Sequence, residues 1–183
     1  MNYSYENNVI PYASKFHKVI IPEDKILKLE NFVKELVDAK MKESHHKIDG
    51  NNEFKRHYTG LLGELALEEL LGISIIDWSI GNSNEYNNAD ILDLKIGIKT
   101  VEYGKFPIIF KKNYYPQIIN IKTRRNIVFV CGLATGFVLN ECQDDDLILS
   151  PSLRARNTKT GFYGFDKLKQ FKSLEDLKRI YKK

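Results

Sequence analysis

The sequence has 183 residues, of which 43% are hydrophobic and 28% are charged, and its formal net charge is +4. A chain of this length can build a substantial core without disulfides or a structural metal. The composition is that of an ordinary globular protein and excludes a disordered or fibrous chain, while the small basic excess permits a polyanionic partner without requiring one.

The N-terminal residues 1–18 are polar and aromatic without a clear period, so we predict an arm that packs late or stays mobile. They contain no basic segment followed by an apolar run, which is the pattern of a signal peptide. No apolar stretch of the chain approaches the roughly 20 residues needed to span a bilayer. We therefore expect a cytoplasmic protein without a membrane partner.

Three helices are signalled by residue spacing and by their ends. The first begins after Pro22, where two acidic residues are followed by apolar positions that recur at helical spacing as far as Val37. The second is predicted over 53–71, and Gly72 supplies its C-terminal stop. The third ends the chain and takes Ser173 as its N-cap.

Several apolar runs between these helices read as β-strands. They cover residues 73–78, 90–94, 96–103, 105–110, 126–133 and 136–141. The run 126–133 is the most apolar and is expected in the middle of the sheet, whereas 143–161 looks irregular. Cys131 and Cys142 would not pair across the last hairpin, so we predict two reduced thiols. The chain is thus predicted to be one α/β (α+β) domain over 1–183, with a central mixed sheet flanked by helices.

The strands on either side of Leu94 carry complementary charges. A hairpin centred on Leu94 and Lys95 would place Asp90 directly opposite Lys99, with the two side chains about 5 Å apart on one sheet face. In phosphodiester hydrolysis a carboxylate can hold a divalent metal, and a lysine can orient or deprotonate the attacking water. Mg²⁺ suits such a site because it prefers oxygen ligands.

Two motifs together carry a family resemblance. One is Gly60-Leu61-Leu62-Gly63-Glu64-Leu65-Ala66 on the second helix. The other is an aspartate at the start of a strand followed by Ile96-Gly97-Ile98-Lys99-Thr100. The combination resembles the PD-(D/E)XK superfamily of restriction-endonuclease-like nucleases, in particular small single-domain members from bacteria and phages. The resemblance covers about 58–133 and implies a restriction-endonuclease-like core with Mg²⁺- or Mn²⁺-dependent endonuclease activity on DNA, in phage and host defence or DNA processing.

The resemblance also implies roles for individual residues. Glu64 and Asp90 match metal-binding carboxylates, and both are expected to be catalytic. Lys99 matches the catalytic lysine, which positions the attacking water. The main-chain carbonyl of Ile98 matches one that often completes the metal shell.

Gly97 departs from the family pattern, which places an acidic residue two positions before the catalytic lysine. Asp93 and Glu102 are candidate replacements for the missing metal ligand. Glu102 would need a bulge to serve, because regular alternation points it away from the face of Lys99. A literal Asp93-Leu94-Lys95 motif with Asp77 as its first aspartate also exists, but it ranks lower because it leaves Lys99-Thr100 unexplained.

A set of basic and aromatic residues is predicted to bind the nucleic acid through phosphate contacts and base stacking. The set comprises His57, Lys111, Lys112, Tyr114, Tyr115, Lys122, Arg124, Arg125, Arg154, Arg156 and Lys159. Such contacts do not distinguish ribose from deoxyribose, so RNA stays open beside DNA. A homodimer is expected by analogy alone. The alternative function is a non-catalytic descendant of the same fold that binds DNA or a partner protein as an inhibitor or specificity subunit.

Overall fold

The computed structural model of the protein describes residues 3–41, 50–79, 91 and 94–182. The described helices and strands follow one another in a fixed order along the chain. They are α1 (Tyr5–Asn8), a 3-10 helix (Ile10–Lys15), β1 (His17–Ile20), α2 (Glu23–Met41), α3 (Gly50–Leu71), β2 (Gly97–Glu102), β3 (Ile108–Phe110), β4 (Gln117–Arg124), β5 (Ile127–Ala134), α4 (Gly136–Glu141), β6 (Gln143–Asp144), α5 (Pro151–Ala155), β7 (Lys159–Phe162) and α6 (Leu174–Tyr181).

In the described part of the chain, four strands form a mixed main sheet in the order β1-β5-β4-β2. β2 runs parallel to β4, whereas the β1–β5 and β4–β5 pairs are antiparallel. This arrangement confirms the predicted mixed sheet with flanking helices. It also confirms the interior position of β5, whose residues Val128, Val130 and Cys131 are fully buried.

Each face of the main sheet covers its own apolar core. Helices α2, α3 and α6 pack on one face, where Leu62, Leu65 and Ile118 belong to the same cluster of buried side chains. The other face packs against α1, α4 and a smaller antiparallel sheet of order β3-β7-β6. The main sheet therefore lies between a layer of long helices and a layer of short elements.

The ends of the long helices agree with the sequence predictions. α3 stops at Gly72, which adopts φ of +66°, the left-handed conformation that favours glycine. Ser173 caps α6, since its Oγ accepts a hydrogen bond from the backbone N–H of Asp176. α3 begins three residues earlier than predicted, at Gly50.

Residues 3–18 are packed onto the fold, whereas the sequence predicts an arm that packs late or stays mobile. Tyr5 and Val9 are buried in the core beneath the smaller sheet, and His17 begins the edge strand β1. The segment shows no apolar period, because α1 buries only Tyr5, the 3-10 helix buries no residue, and Val9 is buried at the junction between them.

Two predicted strands are not strands. Residues 73–78 take no regular structure. Glu68 Oε1 accepts hydrogen bonds from the backbone N–H groups of Ile75 and Ile76 at 2.7 and 2.8 Å. These hydrogen bonds hold the segment against α3. Residues 136–141 form α4, and the Oγ1 of Thr135 caps it by accepting from the N–H of Val138. The region 143–161 is also more regular than predicted, since it contains β6, α5 and part of β7.

The turn before β2 has a different register from the predicted hairpin. Ile91 pairs with Ile96 through an antiparallel bridge, where the predicted register would pair it with Ile98. Leu94 and Lys95 lie within the turn, and Lys95 takes a positive φ of 49°. Asp90, whose position opposite Lys99 depended on that register, lies outside the described residues. Cys131 and Cys142 are free and buried, as predicted.

Candidate functional site

The two motifs of the sequence meet where α3 crosses β2. A Cβ atom added to Gly63 would lie 1.7 Å from Thr100 Oγ1 and 2.8 Å from Thr100 Cβ, so only glycine permits this approach. Asn120 on β4 closes the contact by donating from Nδ2 to the carbonyl of Gly63 at 3.4 Å. Gly60, one turn earlier, has no atom within 4 Å of the position that its Cβ would take.

The register of β2 determines which of its side chains share a face. Thr100 pairs with Asn120 in the parallel ladder and, like Ile98 and Glu102, faces α3. Lys99 pairs with Ile119, which belongs to the core on the opposite face. Glu64 directly follows Gly63 in α3 and Lys99 directly precedes Thr100 in β2, so both residues adjoin the contact in sequence, while the side chain of Lys99 points to the sheet face opposite α3.

Glu102 does not replace the missing acidic residue at Gly97. The β2–β4 register runs without a bulge, so Glu102 stays on the α3 face and away from that of Lys99. Its carboxylate contacts Lys55 at 3.1 Å and Lys105 at 2.8 Å. The hydrogen bond from Lys105 is the main reason that the pKa of Glu102 lies below its usual value.

The expected metal ligands lie only partly within the described residues. Asp90 and Asp93 lie outside them, and no three His, Cys, Asp or Glu side chains gather as a metal-binding group within the described ranges. Glu64 and the carbonyl of Ile98 offer oxygen atoms, the donors that Mg²⁺ prefers. In the literal alternative, Asp77 is exposed and accepts from the N–H of Ser79 at 2.9 Å, while Lys95 is exposed in its turn.

His57 is a neutral packing residue between the two long helices. Its Nε2 lies 3.2 Å from Lys40 Nζ at the end of α2. Burial, together with the charges of Lys40 and Arg56, lowers the pKa of His57 to about 4. A neutral imidazole with 15% of its side chain exposed is poorly suited to the predicted role in phosphate binding.

The low pKa of His57 predicts a loss of stability in weak acid. Between pH 6.5 and 4 the unfolded chain binds a proton that the folded chain does not, so stability falls as the pH falls through this window. By pH 5 the loss is roughly 2 kcal/mol relative to pH 7. Urea unfolding at pH 5 and pH 7 measures this loss in the wild type and in His57→Gln. The difference in the free energy of unfolding between the two pH values is expected to be smaller in the variant by that amount. An equal difference in both proteins would contradict the prediction.

The predicted basic segment 111–125 is divided between the two ends of the main sheet. Residues 111–116 lie before β4, and Arg124 and Arg125 lie at its far end, so a strand of eight residues, roughly 23 Å long, separates them. Arg125 is engaged within the fold: its guanidinium contacts Glu30 through Nε at 2.7 Å and also contacts Glu23. This residue joins the β4–β5 turn to α2.

Other members of the predicted nucleic-acid set are divided between internal contacts and exposure. Lys111 pairs with Asp145, and Arg154 donates to the carbonyl of Ile148 at 2.9 Å. Lys122 is half-buried, with its Nζ 4.9 Å from the centre of the Tyr58 ring, and burial lowers its pKa. Four further members of the predicted set are exposed to solvent or only partly buried. They are Lys112, Arg124, Arg156 and Lys159.

Tyr114 and Tyr115 are exposed, as their predicted role in base stacking requires, and the structure adds a third aromatic residue beside them. Gly136 packs against this loop, because its Cβ position would lie 3.1 Å from the carbonyl oxygen of Asn113. Phe137 follows it and is 73% exposed. The sequence analysis missed Phe137 because residues 136–141 were assigned to a strand, although Thr135 followed by Gly136 is a helix N-cap signal.

Comparisons with family models, with curated proteins and with solved structures gave no significant match. None of the helices in the described ranges is long and apolar enough to cross a membrane. The resemblance to restriction-endonuclease-like proteins therefore rests on the two sequence motifs alone.

Proposed function

We propose that the protein is a metal-dependent nuclease that hydrolyses phosphodiester bonds in DNA. The observation that supports this most directly is the contact between Gly63 and Thr100. It joins the glutamate-bearing helix motif to the lysine-bearing strand motif, although the two are far apart in the sequence. A close contact between a helix and a strand would not by itself favour a functional site. Here the residues next in sequence to Gly63 and Thr100 are Glu64 and Lys99.

Each residue has a distinct task in this mechanism. Glu64, Asp90 and the carbonyl of Ile98 would hold a Mg²⁺ or Mn²⁺ ion, which when bound supplies charge stabilisation at the phosphate. Lys99 orients the attacking water and accepts its proton or donates a hydrogen bond to the phosphate oxygen. Exposed lysine and arginine side chains at both ends of β4 contact the phosphate backbone.

A second candidate function is favoured by Gly97. With a glycine at this position and Glu102 on the other sheet face, the strand offers one carboxylate fewer than the family pattern. A protein of this kind would bind DNA or a partner protein without cutting, as an inhibitor or specificity subunit. Both candidates use the same fold, and cleavage distinguishes them.

The test measures cleavage of supercoiled and linear DNA by the purified protein in Mg²⁺, in Mn²⁺ and in EDTA. The nuclease proposal expects nicked or linear product with metal and none in EDTA. Salt-sensitive DNA binding without any cleavage would instead support the second candidate.

Restoring the acidic residue is expected to strengthen metal binding. Gly97 lies in a regular strand that accepts other residues, so Gly97→Asp adds a carboxylate on the face of Lys99. We expect half-maximal cleavage at a Mg²⁺ concentration about tenfold lower than for the wild type. Metal titrations of the cleavage rate measure this, with Leu149→Asp as a control that adds the same charge at an exposed position. An unchanged metal dependence would count against Gly97 as a ligand position.

A further inference from the structure

Three exposed aromatic residues lie in two neighbouring segments at one end of the main sheet. Tyr114, Tyr115 and Phe137 are 83%, 54% and 73% exposed, and we call them the aromatic platform. The two tyrosines lie in the loop before β4, and Phe137 lies in the first turn of α4. Gly136 brings the two segments together, since its Cβ position is 3.7 Å from the main-chain atoms of Tyr114.

A network of amide side chains holds the loop of the platform in place. Asn113 is buried and donates from its backbone N–H to Asn140 Oδ1 at 2.9 Å and from Nδ2 to the carbonyl of Phe110 at 2.7 Å. Asn140 Nδ2 donates in return to the carbonyl of Asn113, and Gln117 Nε2 donates to Asn113 Oδ1 at 3.2 Å. The aromatic rings are therefore presented by a fixed backbone, which lowers the entropy lost when a ligand stacks on them.

The platform lies close to the start of β2. The N–H of Gly97 donates to the carbonyl of Pro116 at 3.0 Å, directly after the two tyrosines. Lys99 lies two residues further along the strand, a distance of about 7 Å. Gln117 pairs with Gly97 in the ladder, so the amide network and Lys99 are on the same sheet face.

The charge beside the platform indicates the kind of ligand. Lys112 is exposed in the same loop, and within the described residues no carboxylate forms an ion pair with it, whereas Lys111 is paired with Asp145. Aromatic rings next to an available cation suit a ligand that has both flat apolar surfaces and negative charge. A single nucleic-acid strand has both, because its unpaired bases can stack while its phosphates meet the lysine. In a duplex the base faces are already stacked.

We propose that the aromatic platform stacks the unpaired bases of single-stranded DNA, and that this strand continues toward Lys99. The inference rests on the proposed function and specifies its substrate class: DNA that is single-stranded or has a single-stranded end. The platform then selects such substrates, and Lys112 contacts a phosphate of the same strand.

The test is a binding experiment in EDTA, which does not depend on catalysis. Fluorescence anisotropy measures the affinity for a labelled oligo-dT of about 20 nucleotides and for a blunt duplex of equal length. We expect oligo-dT to bind about tenfold tighter than the duplex, and Tyr114→Ala or Phe137→Ala to weaken that binding by about tenfold each. Tyr114→Phe keeps the ring and is expected to bind like the wild type.

Salt dependence separates stacking from phosphate contact. Lys112→Ala is expected to reduce the slope of log affinity against log salt by about 0.7, whereas the aromatic variants leave that slope unchanged. Leu149→Ala is the control, because Leu149 is 88% exposed and belongs to neither segment of the platform. Urea unfolding of each variant verifies that its fold is intact.

Several results would overturn the inference. Alanine variants that bind oligo-dT like the wild type would remove the platform from the interaction, and equal binding of duplex and oligo-dT would remove the selectivity. Binding of neither would leave the platform as a surface for a protein partner. Binding through the platform without cleavage in Mg²⁺ or Mn²⁺ would keep this inference and reject the nuclease. Duplex cleavage that is insensitive to the platform variants would keep the nuclease and reject this inference.

Discussion

Gly63→Ala is expected to destabilise the protein by on the order of 3 kcal/mol, the upper part of the range for overpacked cores. The added methyl group would overlap Thr100 Oγ1, so α3 must move away from β2 or the strand must shift. Either movement loosens the packing of Leu62 and Leu65, which are buried against the main sheet. Urea unfolding followed by the fluorescence of Trp78 measures the change in the free energy of unfolding.

Gly60→Ala is the matched control for this prediction. It makes the same substitution one turn earlier in the same helix, where no atom lies within 4 Å of the new methyl group. Alanine should therefore stabilise α3 there by up to about 1 kcal/mol through its higher helix propensity. Thr100→Ala should recover part of the loss in Gly63→Ala, because it removes the hydroxyl that overlaps most. Equal effects at the two glycines would show that α3 and β2 do not meet in this way.

Lys99→Ala is expected to reduce the rate of DNA cleavage by on the order of 10²–10⁴, the range for loss of a group that transfers or orients a proton. The loss follows from the proposed function, in which the lysine positions the attacking water. The DNA affinity should change little, because one lysine supplies only one of several phosphate contacts. Single-turnover cleavage measured beside binding in EDTA separates these effects.

Lys95→Asn distinguishes the two assignments of the acid-x-Lys motif. Lys95 has a positive φ, a conformation that asparagine tolerates, so this variant removes a nearby positive charge without straining the turn. Cleavage should persist in Lys95→Asn. If cleavage were lost there and kept in Lys99→Ala, the Asp93-Leu94-Lys95 assignment would replace the one proposed here.

Elements with a sustained apolar period could be predicted from the sequence, and those set by distant contacts could not. α2, α3 and β5 each bury a long regular face, and local propensity agrees with that burial. Residues 73–78 have the composition of a strand, but the carboxylate of Glu68 binds backbone N–H groups that a neighbouring strand would otherwise bind. No local pattern shows that such a partner is near.

In the candidate site, too, features set by a local pattern could be predicted and features set by distant contacts could not. The two motifs predict one shared site from residues in α3 and β2, but the contact between Gly63 and Thr100 that joins them depends on the packing of α3 on β2 and was not predicted. The partners of the basic residues could not be predicted: Arg125 was assigned to DNA, but it contacts Glu30 and Glu23 from a helix nearly a hundred positions earlier in the chain. Phe137 is different, because the local N-cap signal at Thr135 indicates the helix that exposes it.

The pairing of β1 with β5 has a consequence for how the chain folds. His17 pairs with Val130, so both long helices and the strands β2, β3 and β4 are synthesised between the two partners. Closing so long a loop is entropically costly and slow, and we expect β1 to dock late. Until it does, the highly apolar β5 presents an unpaired edge, which makes the incomplete sheet the stage of folding most exposed to aggregation.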